Sequence, residues 1–263
     1  MTAQSRNSAG NLQGSARVTG GVCANPNPPV INANGVVSSA SCAGLAPVAP
    51  GSLIAILGAH LAAAPLSAET LPLPIELGQT QALIGARELP LIFVSDGQIN
   101  AVLPYDVAVN TRQQIVVRRG TSYTTPVDVT LTPVEPGVFT RDLSGTGQGF
   151  VFDAGFHFVD AANPARAGDI LAIYITGLGE VTPPIAAGSV APVDSLHLTV
   201  NPVAVSIGGV NAPQVLFAGL APGYTGLYQV KVVVPEGVAP GAGVPVIVSA
   251  ADRPGPAVTI AVR

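Results

Sequence analysis

The side chains able to do acid–base or metal chemistry in this sequence are few and scattered. Three histidines, His60, His157 and His197, supply every imidazole. None has a second ligand at helical or zinc-knuckle spacing, and neither an H-E-x-x-H nor a paired C-x-x-C occurs, so no metal centre is expected. Asp194, Ser195 and His197 have the residue types of a hydrolase triad. A working triad converges from distant segments, whereas neighbours on an extended chain point apart, so a solvated loop or strand edge is expected there. The run GTGQG at residues 145–149 lacks the strand–turn–helix setting of a phosphate loop and reads as a flexible turn. Asp96, Asp153, Asp160 and Asp169 sit in turn-like contexts suited to calcium, without the dense acidic loop of an EF-hand. Lys231 is the single lysine and has the chemistry for an isopeptide bond with an asparagine. Its neighbours Val230, Val232 and Val234 alternate toward a core, which turns Lys231 to solvent. The expectation is a protein that is not an enzyme and carries no cofactor.

The elements that hold these residues come in two copies. PGSLIAILGAHL (residues 50–61) is answered by AGDILAIYITGLG (167–179), each a turn, an apolar strand and a glycine. ALIGARELPLIFV (82–94) is answered by VSIGGVNAPQVLF (205–217), which matches Ile84 with Ile207 and Phe93 with Phe217. GQINAVLP (97–104) is answered by LYQVKVVVP (227–235), which matches Gln98 with Gln229 and Pro104 with Pro235. The insertion APGYTGL (221–227) lengthens the second copy, as insertions in loops do. Each copy ends in a strand whose alternate residues share a face: Val127, Val129 and Leu131, then Val258, Ile260 and Val262. A hairpin-like stretch at residues 147–165 brings Phe150, Phe152, Phe156 and Phe158 to the join of the copies, where they would stiffen it.

Composition agrees with that reading. Charged residues are 10% of the 263 and hydrophobic ones 48%, with 30 glycines and 25 prolines spaced between runs of Val, Ile and Leu as strand punctuation. A net charge of −4 gives no basic field for a phosphate backbone, so nucleic acid is not an expected partner. No apolar run reaches membrane-spanning length, and the first twenty residues show no signal-peptide core. The fold expected is all-β: two tandem immunoglobulin-like β-sandwich domains, at residues 45–140 and 141–263, behind an extended N-terminal arm at residues 1–44. Cys23 and Cys42 are expected to bridge within that arm, which would restrict its unfolded chain and suits an oxidising compartment.

The stretches PGSLIAILG, LPLPIELG, LIFVSDGQINAVLPYDV, EPGVFT, NPARAGDILAIYITGLGEVTPP and LFAGLAPGYTGLYQVKVVVP together resemble the uncharacterised Solibacter-type C-terminal domain of exported bacterial proteins. The resemblance runs from about residue 35 to residue 263. Each half is more loosely similar to a TIG or IPT immunoglobulin-like module. The resemblance implies an extracellular pair of sandwiches and supplies no activity or catalytic residue.

A chain so poor in charge must bury its surface or present apolar patches to a partner, and sandwich edges are templates for further strands. The expected function is therefore self-association into a surface assembly or filament. Its contacts would be made by sheet edges and by an arm segment holding Ala16, Arg17, Val18, Thr19 and Val22. The alternative is an extracellular adhesion module that grips a cell-surface protein or polysaccharide with its loops. Gly177, Leu178, Gly179, Tyr224 and Tyr228 are the contact candidates for that reading.

Overall fold

The computed structural model describes residues 2–6, 12–17, 27–42 and 46–263. Among the described residues there is no helix, and so none long and apolar enough to cross a membrane. In chain order, β1 (Thr2–Arg6) and β2 (Leu12–Arg17) are followed by β3 (Val30–Ser38), β4 (Leu53–Ala59), β5 (Leu66–Ser67) and β6 (Thr80–Ile84). The first copy continues with β7 (Arg87–Glu88), β8 (Leu91–Val94), β9 (Gln98–Val102), β10 (Thr111–Arg119), β11 (Ser122–Tyr123) and β12 (Val127–Leu131). The second copy opens with β13 (Gly137–Val138), β14 (Val151–Phe152), β15 (Ile170–Thr176), β16 (Val181–Thr182), β17 (Leu198–Thr199) and β18 (Val203–Ile207). It closes with β19 (Val210–Asn211), β20 (Val215–Leu220), β21 (Tyr228–Val233), β22 (Gly241–Ala250), β23 (Arg253–Pro254) and β24 (Val258–Val262).

Each copy is a sandwich. In the first, the sheet β3-β4-β9-β8-β5 faces the sheet in which β10 joins β6, β7, β11 and β12. In the second, the sheet β13-β15-β21-β20-β17-β16, with β14 also on β15, faces the sheet in which β22 joins β18, β19, β23 and β24. Alternation decides which side chains meet between the sheets. Ile54 and Ile56 of β4 and Ile99 of β9 are wholly buried against Ile84, Ile115, Val117 and Leu131 of the facing sheet. Leu171, Ile173, Val230 and Val232 do the same against Ile207, Val246, Val248 and Ile260. Each such side chain removed from water contributes about 1.5–3 kcal/mol, which is why the alternating runs close on one another. The protein is thus all-β, with two tandem immunoglobulin-like sandwiches.

The repeat extends to the register of individual residues. Leu57 stands opposite Gln98, and its counterpart Tyr174 opposite Gln229. Ile84 pairs with Ile115, and Ile207 with Val246. The pairing slips at one matched place in each copy, between Leu91 and Phe93 and between Val215 and Phe217. In both halves the opening segment also lies parallel to the last strand, through Val48 with Leu131 and Ala165 with Val262.

Three expectations about the N-terminus need correction or lie beyond the described residues. The arm does not run to residue 44, because β3 pairs with β4 as a full member of the first sandwich, with Val36 opposite Ile56. Its alternation was masked by the polar run Asn32–Ala33–Asn34, where the pairing slips. Nor is the arm simply extended: β1 and β2 form an antiparallel hairpin, with Ala3 opposite Ala16 and Thr2 opposite Arg17. Val18, Thr19, Val22 and Cys23 lie outside the described residues. Cys42 is exposed with a free thiol, its Sγ 3.5 Å from the Leu143 carbonyl oxygen, so the expected bridge to Cys23 is not part of the described structure.

Candidate functional site

The residues first considered for chemistry stay apart. His197 is buried, with Nδ1 2.6 Å from the Pro183 carbonyl oxygen, while Asp194 and Ser195 are exposed; the three do not converge. His60 Nδ1 lies 3.2 Å from Asp96 Oδ1 on the surface of the first sandwich. Asp160 Oδ2 lies 3.4 Å from Arg141, and Asp169 accepts a hydrogen bond from the Arg166 N–H. Among the described residues no three His, Cys, Asp or Glu side chains gather as a metal would require. Gly145 and Gly147 take positive φ; Gly147 is exposed, whereas Gly145 is buried against the Ser41 backbone and donates its N–H to Thr140 Oγ1 at 3.0 Å. Lys231 points to solvent, opposite Ala172 and Phe217.

The aromatic hairpin at the start of the second sandwich is built on Asp153. Its Oδ1 accepts the backbone N–H groups of Gly155 and His157, and its Oδ2 accepts Asn163 Nδ2–H at 2.9 Å. Chiefly through the His157 N–H, these donors hold the Asp153 carboxyl down at about 2, against an ordinary 3.8. The folded carboxyl therefore releases its proton more readily than the unfolded one. Its stabilising contribution is complete above the ordinary carboxylate range and vanishes as pH falls through about 2. Thermal melts of the wild type and Asp153→Asn are expected to differ near neutral pH and to converge as the buffer is taken below about pH 2.

The candidate contact loops divide between two environments. Gly177, Leu178, Gly179 and Tyr228 are buried and offer no outside contact, which corrects the expectation for those four. They form the joint between the sandwiches instead. Tyr228 Oη donates to the Gly179 carbonyl at 2.5 Å and lies 3.2 Å from Tyr105 Oη of the first sandwich. Burial pushes the Tyr105 hydroxyl up to about 12 and the Tyr228 hydroxyl well above its usual range, so both are neutral donors near pH 7. Gly51 packs against both rings, and a Cβ there would collide with them. The Leu53 N–H reaches across to Thr176 Oγ1 at 2.9 Å, and the Leu73 N–H to the Gly188 carbonyl at 2.8 Å. Glu135, in the short link between β12 and β13, pairs with Arg253 of β23 at 2.5 Å. A Gly-x-Gly run signals a turn with positive φ, and that signal is the same in an exposed loop and in a buried joint.

Tyr224 remains exposed, as expected of a contact residue, and it marks a feature the sequence did not reveal. A groove follows the outer face of β4, β9 and β8 and reaches the joint, and a separate cavity lies over the outer face of β15, β21 and β20. The groove's first cavity, about 440 Å³, lies over Leu53, Ala55, Leu57, Ile92, Gln98 and Asn100. The middle cavity, about 320 Å³, shares Leu53, Ile92, Phe139 and Leu143 with the first and adds Phe150, Tyr174 and Tyr224. The third, about 300 Å³, lies over Ile170, Ala172, Leu216, Gln229 and Lys231 beside Asp153 and Phe156. Under the repeat these last five floor residues are the counterparts of Leu53, Ala55, Ile92, Gln98 and Asn100, so the two end cavities are one site built twice. Phe150 packs edge-on against Phe152, Phe158 and Tyr174, and Phe152 edge-on against Tyr174, with ring centroids 5.0–5.9 Å apart; Phe152 and Phe158 meet at a tilt, 4.4 Å apart, and Arg141 lies over Phe158 at 5.3 Å.

No family model and no curated protein matches the chain. Among solved structures it is similar to the I9–I11 tandem of titin, at 9% sequence identity and a TM-score of 0.23. The match covers 82% of this chain and 62% of that one, so this chain spans less than two thirds of the titin tandem. On its own strand pairings, the chain is a tandem of two immunoglobulin-like β-sandwiches joined through buried tyrosines.

Proposed function

We propose that the chain is a non-catalytic structural protein that works outside the cytoplasm as a subunit of a surface assembly or filament, its N-terminal hairpin and sheet edges making the contacts between subunits. One observation carries the reading: among the described residues, β1 and β2 form a two-stranded sheet that pairs with none of the four sandwich sheets. An isolated hairpin is at best marginally stable in water, so this one gains most by adding to another sheet. The resemblance to the Solibacter-type C-terminal domain of exported proteins supports the same setting. Deletion of residues 1–28, which leaves β3 whole, is expected to abolish polymers seen by negative-stain imaging. Polymers that persist without those residues, or a full chain that never polymerises, would overturn the proposal.

A second reading, an extracellular adhesion or ligand-binding module for carbohydrate or protein, draws on Tyr224 and on the amides of Gln98 and Asn100 in the groove. Binding on a glycan array by a monomeric chain, lost in Tyr224→Ser, would favour it over assembly.

A further inference from the structure

The second copy fills a strand position that the first leaves empty. On the outer edge of β24, Ala165 N–H donates to the Ala261 carbonyl, and the Ala165 carbonyl accepts Arg263 N–H. Further along the same edge, Gly149 N–H donates to the Thr259 carbonyl and Thr259 N–H to the Gly147 carbonyl. The run 147–149 thus lies beside β24 as a further strand, parallel to it and bridged through Gln148 and Thr259. In the first copy, Val48 takes the place of Ala165, bonded to Thr130 and Thr132 on the outer edge of β12. Among the described residues, nothing there takes the place of 147–149.

The empty place is at Asp128. Ile115 is the counterpart of Val246, so Asp128, opposite Gln114, is the counterpart of Thr259, opposite Pro245. The Gln114 carbonyl accepts Gly85 N–H on the far side of β10. Opposed residues of an antiparallel pair turn their peptide groups either both toward or both away from each other, so the Asp128 N–H and carbonyl face away from β10. Asp128 and Thr130 are exposed, as are Thr125 and Pro126 before the strand. The difference between the copies lies in β3. Its Val30–Ile31 and Val36–Val37 stand in the register of β13 and β14, and residues 32–35 replace the longer run 139–150 that carries Gln148 across to β24.

We infer that β2 of a second copy of this chain occupies the edge of β12 at Asp128, which rests on the assembly reading and names the edge that its hairpin uses. Three observations choose that occupant. β1 and β2 pair with each other and with no sandwich strand, so β2 keeps one edge free. Its sequence LQGSAR repeats the Gln-Gly pair of the run GQG that fills the matching place in the second copy, and glycine lets two backbones approach closely. Residues 1–17 hold Arg6 and Arg17 and no acidic side chain, whereas the edge presents the exposed Asp128 carboxylate, with Arg112 beside it at 3.8 Å. The first sandwich of each chain then receives from a neighbour what the second supplies to itself. A contact of hairpin on edge uses different surfaces on the two partners, so it propagates from subunit to subunit instead of closing as a two-fold dimer.

A photo-reactive benzoylphenylalanine in place of Thr125 of the full chain tests the contact, with isotope-labelled and unlabelled chains mixed before irradiation. Mass spectrometry is expected to find cross-links from position 125 to residues 1–17 that join labelled to unlabelled chains. Asp128→Pro removes the outward N–H while leaving the bonds to β10 in place, and it is expected to lower that yield about 10-fold. Thermal melts report whether the variant is folded. If it is not, Asp128→Arg, which sets a like charge before Arg6 and Arg17, decides by the same loss. Cross-links confined to single chains overturn the second copy as occupant. Cross-links to any other segment, none at all, or a yield unmoved by the deciding variant overturn the inference. Deletion of residues 1–28 separates it from the reading on which it rests. Polymers that persist without those residues remove both ideas, whereas polymers that need them, yet give no cross-link at position 125 and no response at Asp128, overturn this placement alone.

Discussion

Tyr228→Ala is expected to lower the stability of the tandem by about 4 kcal/mol, the cost of cutting a wholly buried aromatic to a methyl group where the cavity cannot collapse. The ring lies at the start of β21, packed in the core of the second sandwich, yet its hydroxyl touches Tyr105 of the first. Truncation therefore damages a core and a joint together. Urea unfolding followed by tyrosine fluorescence and by circular dichroism is expected to show a lower midpoint for the second sandwich. Tyr228→Phe separates the two effects. It keeps the ring but leaves the Gly179 carbonyl and the Tyr105 hydroxyl without their partner, a loss of about 1–3 kcal/mol. A Tyr228→Phe variant as stable as the wild type would show that the hydrogen-bonded pair contributes nothing beyond packing.

Gly177→Ala is the second large effect expected. The residue has φ of 84°, and an added Cβ would overlap the Glu135 carbonyl group of the link between sandwiches. Left-handed backbone alone costs an alanine about 1–2 kcal/mol. The overlap is with backbone, which has no rotamer to change, and Glu135 N–H already donates to the Gly177 carbonyl at 2.8 Å, so the link cannot move away without losing that bond. The expected result is a loss of at least about 2 kcal/mol and a faster cleavage of the 132–136 link by added protease. Gly209→Ala, with similar φ of 81° but open space around it, isolates the backbone cost; equal losses in the two variants would refute the collision.

These two residues show where sequence reading reaches its limit. Gly177 and Tyr228 were expected in exposed contact loops because a glycine pair and a lone aromatic beside an insertion look like a binding loop. The same local signals serve a buried joint, and only the docking of one sandwich on the other decides between them. β3 was hidden for a related reason. Its exposed Asn-rich middle breaks the alternation, and the pairing to β4 that identifies it is not a local property.

What the sequence determined by itself was the part that depends on local pattern and on comparison of the chain with itself. Alternation set the core faces of β12 and β24, and the matched blocks set Ile84 with Ile207, Phe93 with Phe217 and Gln98 with Gln229, each at an equivalent register. Tertiary structure alone decided the joint and the groove, because they are assembled from residues such as Leu53, Phe139 and Tyr174 that lie far apart in the chain. A strand's alternation says which side chains turn inward; which outward-facing side chains become neighbours depends on strand order and register, and those are settled by contacts between distant parts of the chain.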